Sequence, residues 1–333
     1  MASELCRLNQ TFPNLLSCAP PLLLGEHDVS LRLERAIKFD YGVADRLSPL
    51  VRRVIANNPG PFTYTGTGTY IIGRGHVAVV DPGPADEAHI NALVVAINGE
   101  TVSHVLVTHT HMDHSPGCKL LKTYCDAPTY GFGPHGGDLA ESSKVEEGAD
   151  RDFVPDVRVA HGDVLTGDGW SVECVHTPGH TSNHMCFCLS DERALFTGDH
   201  VMGWSTSVIS PPDGNMGDYM RSLALLLERD DAVYYPTHGP PVWRPRAHIE
   251  AFIEHRLARE RQIRDCLQRG VTRIVDMVPI MYKGTDRALF PAAARSVLAA
   301  VELMHARGEI RANGAPSIES ELELWYPSRE QRR

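Results

Sequence analysis

Val105-Leu106-Val107-Thr108-His109-Thr110-His111-Met112-Asp113-His114-Ser115-Pro116-Gly117 is the stretch on which the reading of this chain turns. It opens as a short apolar run, which reads as a buried strand. It then sets four ligand-type side chains within six positions. His109 and His111 are two apart on an extended segment, so they point the same way and can grip one cation. Asp113 and His114 fall where the chain turns toward a helix opening at Ser115-Pro116-Gly117, and can face a second cation nearby.

Three more ligand-type residues follow, each just beyond an apolar run. His180 sits in Thr177-Pro178-Gly179-His180-Thr181, where Pro-Gly forces a turn and presents the imidazole. Asp199 lies in Gly198-Asp199-His200, after Ala194 to Thr197, and His238 in Pro236-Thr237-His238-Gly239, after Ala232 to Tyr235. The chain holds 17 His against 4 Trp and 9 Phe, and this set accounts for five of the excess. Two further histidines lie beside it: His184 reads as structural or as orienting a ligand, His200 as cavity lining or core. Gly203-Trp204-Ser205-Thr206-Ser207 lacks the final Gly of a nucleophile elbow, and Gly66-x-Gly68 lacks the third Gly of a dinucleotide loop. Serine-hydrolase and dinucleotide chemistry are thereby set aside.

Other apolar runs at Thr63 to Ile72, Val77 to Val80, Trp170 to Val175 and Met185 to Leu189 read as strands. Helices are read at His89 to Ile97 and around Met216, Met220, Leu223, Leu226 and Leu227. The alternation predicts a layered α/β domain. After Trp243 the texture changes. Ile249, Phe252, Ile253, Leu257, Ile263 and Leu267 stripe a long helix ending at Gly270; Thr272 caps a short one; Ala292 to Arg307 gives a third. Glu309 to Arg311, the Asn313-Gly314 turn and Leu322 to Tyr326 suggest a β-wing, so the tail reads as a winged-helix module. The expected organisation is an extension over 1–45 that packs on the core, a catalytic domain over 46–243 and a winged-helix-like domain over 244–333.

The ligand set resembles the metallo-β-lactamase superfamily, an αββα sandwich with two metals at one edge, and within it the glyoxalase-II-like branch. The resemblance implies that His109, His111 and His180 hold the first metal and Asp113, His114 and His238 the second, with Asp199 bridging them. Class B β-lactamases commonly lack the bridging carboxylate, which argues against a dedicated antibiotic hydrolase. Asn58-Pro59-Gly60-Pro61-Phe62 and Asp81-Pro82-Gly83 look like the start of the same fold, with Asp81 orienting the His motif. The tail, including Glu254-His255-Arg256, is similar to the winged-helix appendage of β-lactamase-like endoribonucleases.

What these residues imply is a dinuclear zinc hydrolase, with iron or manganese as alternatives. A hydroxide shared by the metals would attack a small substrate bearing a carbonyl or anionic oxygen, such as a thioester, lactone or other activated ester. Asp113 is the expected catalytic residue, orienting the hydroxide. The loop Met202 to Gly217 is expected to form part of the substrate wall. The runner-up function is metal-dependent cleavage of single-stranded RNA; β-lactam hydrolysis and a mononuclear iron dioxygenase rank lower. Residues 244–333 carry 16 basic and 12 acidic groups, residues 1–243 carry 16 and 30. The tail is therefore the only basic part, and its third helix offers only Arg295 and Arg307, which is thin for phosphate neutralisation. Covering the metal edge or forming a homodimer is the preferred role for it.

Composition bounds these readings. In 333 residues, 42% apolar and 22% charged is ordinary for a globular protein, and no window approaches 18 consecutive apolar residues, so no membrane partner is expected. The net charge of −10 argues against indiscriminate polyanion binding. Eight cysteines without a CxxC pair read as reduced thiols, and the N-terminus lacks a basic start followed by an apolar run. A cytoplasmic location is expected.

Overall fold

The computed structural model describes residues 31, 33–136 and 148–325. Most of the expected N-terminal extension, up to residue 30, lies outside them, as does Tyr326.

Seven strands form the first sheet in chain order: β1 (Asp45–Arg46), β2 (Val51–Ile55), β3 (Gly68–Arg74), β4 (His76–Val80), β5 (Thr101–Leu106), β6 (Thr129–Gly131) and β7 (Val157–Arg158). The first four pair antiparallel and the rest parallel. Parallel neighbours need a crossover, and helix α1 (Glu87–Ile97) supplies the one from β4 to β5. Asp86 caps it, accepting from the Ala88 amide. Helix α2 (Gly117–Leu121) lies in the next crossover, directly behind the histidine-rich turn.

The second sheet runs in the order β12 (Val233–Pro236), β11 (Ala194–Gly198), β10 (Met185–Leu189), β9 (Trp170–His176), β8 (Val164–Gly167). Only β11 and β12 are parallel, and α3 (Met216–Leu227) joins them. Side-chain alternation makes the layers. Tyr70, Ile72, Ala78 and Val80 meet Phe187, Leu189, Phe196 and Tyr235 between the sheets. Ile71, Val77 and Val79 face outward onto Ile90, Leu93 and Ile97 of α1. Val175, Cys186, Leu195 and Tyr234 face α3 through Tyr219, Leu223 and Leu226. Both faces of the central strands are buried, which is why they read as unbroken apolar runs.

A single 24-residue helix, α4 (Pro245–Gln268), continues from this sandwich. Ile249 and Phe252, near its start, pack with the α3 layer. Ile263, Cys266 and Leu267, near its end, belong to another core with α5 (Ile274–Met281) and α6 (Phe290–Ala306). Strands β13 (Ile310–Ala312) and β14 (Leu322–Leu324) pair antiparallel as the wing. Residues 287–306 are long and apolar enough to cross a bilayer by composition, but half of that stretch is buried, and α6 is a core helix of the tail.

Three local readings differ. The strand expected from Thr63 begins at Gly68, because Tyr64 and Gly66 take positive φ and a Cβ on Gly66 would lie 2.0 Å from the Ala56 carbonyl oxygen. Residues 60–66 are instead a tight turn. Strand β2 escaped notice because Arg52 and Arg53 break its apolar pattern. Thr272 does not cap α5: its hydroxyl bonds Glu321, and Arg273 takes the cap position.

Candidate metal centre

The end of β5, the β9–β10 turn and the ends of β11 and β12 meet at one edge of the sandwich. They bring together all seven residues singled out from the sequence. Two turns require glycine. Gly179 has φ +139°, and a Cβ there would lie 2.4 Å from the Tyr219 Cα; Gly198 has φ +50°, and a Cβ would lie 2.6 Å from His184 Nε2.

His109 Nε2 and His180 Nε2 lie 3.0 and 3.2 Å from His111 Nδ1. His238 Nε2 is 3.0 Å from Asp113 Oδ2 and 3.4 Å from Asp199 Oδ1. His114 Nε2 is 3.4 Å from Asp113 Oδ2 and 3.6 Å from Asp199 Oδ2, while His180 Nε2 is 3.8 Å from Asp199 Oδ2. Three overlapping triads therefore have donor atoms mutually within 4.8 Å: His109-His111-His180, His109-His114-Asp199 and Asp113-His114-His238. Asp113 Oδ2, His114 Nε2 and Asp199 Oδ1 are buried without hydrogen-bonding partners. Orphaned polar atoms that converge in this way are costly unless a cation satisfies them, so the donor set fits two metal ions.

The opposite ring nitrogens are tethered, which turns the free ones inward. His180 Nδ1–H donates to the Val208 carbonyl at 2.7 Å, His238 Nδ1–H to the Gly66 carbonyl at 3.2 Å, and His109 Nδ1–H to Thr108 Oγ1 at 3.1 Å. Asp81 holds His114 Nδ1 at 2.9 Å and accepts from the Thr108 amide, the Thr108 hydroxyl and the Thr237 hydroxyl. Its φ of +47° is one that aspartate tolerates better than most residues. Asp81 thus ties the β5, β12 and His-motif backbones to one carboxylate.

Electrostatics divide the set. Burial, reinforced by neighbouring imidazoles, pushes His109 and His111 well below the usual histidine range, and burial lowers His180 as well. Burial also opposes charge on His114 and His238, but Asp113 and Asp199 outweigh it; His114 rises well above its usual value and His238 to about 10. The same pairing, against burial, holds both carboxyls well below the usual range. Two fixed negative charges here demand positive charge beside them, which two imidazolium rings or metal cations can supply.

Of the residues behind the seven, the sequence pointed to Asp81 and His184 but gave no signal for Asn183 and His135. His184 Nε2 accepts from the Asp199 amide at 3.2 Å, and its Nδ1 meets Thr177 Oγ1 at 2.9 Å, so it fixes the Gly198-Asp199 turn. Asn183 Nδ2 and His135 Nδ1 both reach Thr110 Oγ1, at 2.9 and 3.0 Å. His200, for which cavity and core roles were both open, is core: it is fully buried against Tyr219, ring centroids 4.8 Å apart.

A cavity of about 170 Å³ opens above the set. His111, Asp113, His180, Asp199 and His238 line its floor. One wall is apolar, built from Phe62 and Trp204, with Trp204 stacked on Tyr64 at 4.7 Å. The opposite wall comes from the tail, through Arg256, Arg259, Tyr282, Thr285 and Ser296. Shaping the metal edge, rather than standing apart from it, is what the C-terminal helices do.

Known proteins agree with this architecture. Residues 65–238 match the metallo-beta-lactamase superfamily and residues 274–318 the beta-lactamase associated winged helix domain. The chain is 32% identical over 249 residues to an atrochrysone carboxyl ACP thioesterase of Claviceps purpurea, covering 72% of this chain and 74% of that one. It is 32% identical over 233 residues to the beta-lactamase-like protein 2 homolog of Caenorhabditis elegans, covering 66% and 71%. Among solved structures, a beta-lactamase domain protein from Burkholderia ambifaria superposes with a TM-score of 0.70 at 20% identity, over 85% of this chain and 94% of that one. A metallo-beta-lactamase family protein from Thermus thermophilus gives 0.68 at 20% identity, over 84% and 100%. The chain belongs to the metallo-β-lactamase superfamily, as a hydrolase whose catalytic sandwich is followed by a β-lactamase-associated winged helix.

Proposed function

We propose that the protein is a dinuclear zinc hydrolase of thioesters, with His109, His111 and His180 holding one ion, Asp113, His114 and His238 the other, and Asp199 between them. The observation that carries the metal assignment is the convergence of seven buried donor residues, three of them with orphaned atoms, five of the seven forming the floor of one cavity. Curated relatives named as acyl-carrier-protein thioesterases support the substrate class. Two such cations, when bound, acidify a shared water and polarise the scissile carbonyl. The chain's own residues do the rest. Asp113, held ionised, accepts a hydrogen bond from the attacking water and orients its lone pair. Phe62 and Trp204 shield the acyl group from bulk water. Tethering by Asp81, Val208 and Gly66 keeps the imidazoles from turning away.

RNA cleavage has less support. Both basic residues of the third tail helix are engaged within the protein: Arg295 donates to the Pro211 carbonyl, and Arg307 pairs with Glu260 and Glu309. The six described cysteines are unpaired, which supports a cytoplasmic location.

The deciding experiment is a panel of acyl-pantetheine thioesters, lactones, β-lactams and labelled single-stranded RNA, offered to protein loaded with zinc, iron or manganese. Thioester turnover with close to two zinc ions per chain is expected. Turnover of RNA alone, or full activity with a single ion, would overturn the reading.

A further inference from the structure

The wall that the tail contributes to the cavity holds two positive charges without a counter-ion. Arg256 and Arg259 stand three apart on α4 and leave the same face of the helix. Other arginines of this helix are neutralised: Arg246 pairs with Glu250, Arg261 with Glu254, and Arg264 with Glu260 and Glu309. Among the described residues, no carboxylate lies within ion-pair distance of Arg256 or Arg259.

Both guanidiniums are fixed in place. Arg256 is only 6% exposed; its Nη2 donates to the Ser207 carbonyl at 2.6 Å, and the group lies 5.0 Å from the Tyr219 ring centroid. Arg259 donates through Nη1 to the Met281 carbonyl at 2.6 Å and to Gln262, and stacks over Tyr282 at 4.2 Å. In each, Nε is buried and has no acceptor. Charged donors kept dry and unsatisfied are destabilising, so their retention here points to an acceptor that arrives from outside. Tyr282, Thr285 and Ser296 add hydroxyl groups to the same wall. His255 does not add charge: burial, then the two guanidiniums, push it down to about 3.

We propose that Arg256 and Arg259 form an anion subsite that takes a carboxylate or phosphate group of the substrate while the reacting carbonyl lies over the strand-end ligand set. Arginine suits this task, because its planar fork matches both oxyanions. The subsite deepens the thioesterase reading and, in its kinetic form, rests on it. A thioester offers such an anion on either side of the scissile bond, in the acyl group or in the phosphate of a pantetheine arm.

Two pairs of probes separate these sources. The first is the S-methyl thioether of 4′-phosphopantetheine against that of pantetheine, which have no scissile bond, titrated calorimetrically into the zinc-loaded full chain. The second is succinyl-pantetheine against propionyl-pantetheine, compared by kcat/KM. A preference of about ten- to a hundredfold for the anionic member is expected in at least one pair, the size of one or two charge-assisted hydrogen bonds. A phosphate preference places the anion on the pantetheine side, and a succinyl preference places it on the acyl side. Arg256→Gln/Arg259→Gln should reduce that preference to within about threefold, with Lys at both positions retaining part of it. Arg259→Gln alone leaves the Arg256–Ser207 contact in place and guards against a folding defect. Equal treatment of both pairs by the unaltered protein overturns the proposal. So does a preference that survives loss of both arginines, which would mean that the anion binds the metals directly. If no thioester is turned over but the thioether preference disappears with the arginines, the subsite stands and the thioesterase reading falls.

Discussion

At the scale of the residue, four of the seven candidate ligands were readable because they are local, and His180, Asp199 and His238 joined them through their strand-end positions and the resemblance. His109 to His114 lie within six positions, and strand alternation alone aligns the first pair. Arg256 and Arg259 were not readable as a site, since nothing short of the folded chain places them opposite residues far earlier in the sequence. Asp81 belongs between these cases, visible as a turn but meaningful only through the four groups it binds. Asp81→Asn keeps the shape and removes the charge that fixes His114; metal affinity and turnover should each fall about 10- to 100-fold, read by competition with a chelator and by kcat. Unchanged affinity would contradict the orienting role. His89 gives a pH prediction. Its Nε2–H donates to Thr69 Oγ1 at 2.8 Å, its Nδ1 is buried without a partner, and burial lowers it from 6.5 to about 4. The unfolded chain binds the proton more readily, so this contribution is intact above pH 6.5 and disappears as pH falls toward 4. A depression of that size is worth about 3 kcal/mol. Urea unfolding should show His89→Gln losing less stability than the parent protein across that interval.

At the scale of the element, the long apolar strands and the helices were legible, while β6, β7 and β8 were not, being short or partly polar. Such strands are held by their neighbours rather than by their own pattern. The turns that present the ligands depend on backbone more than on side chains. Gly179→Ala would need an L-residue at φ +139° and a Cβ 2.4 Å from the α3 backbone. The turn carrying His180 must then move together with the start of α3. A lower metal content per protein, with turnover falling in parallel, is the expected result by metal analysis. A fully loaded, fully active Gly179→Ala protein would show that the turn has slack that the geometry denies.

At the scale of the whole molecule, α4 joins two cores. Phe252 is wholly buried against the α3 layer, and Ile263 is wholly buried in the tail. Phe252→Ala should cost about 3–5 kcal/mol and lower the denaturation midpoint of both cores together, seen as one transition by fluorescence and by circular dichroism. Two separated transitions would show that the cores melt independently. Removing residues 244–333 would strip Ile249 and Phe252 from Tyr219 and Leu223, and the truncated sandwich is expected to aggregate on expression rather than remain a soluble hydrolase.

That shared helix also divides inheritance from invention. The candidate metal floor is built from strand ends and the β9–β10 turn of the sandwich, whereas the wall facing it is drawn from α4, the α5–α6 connection and α6. A lineage can therefore rewrite what is admitted by altering a handful of inward positions on the tail, and leave the bond-breaking apparatus untouched. A chimera carrying a relative's tail on this body should take its preference among acyl donors from the tail and its metal requirement from the body.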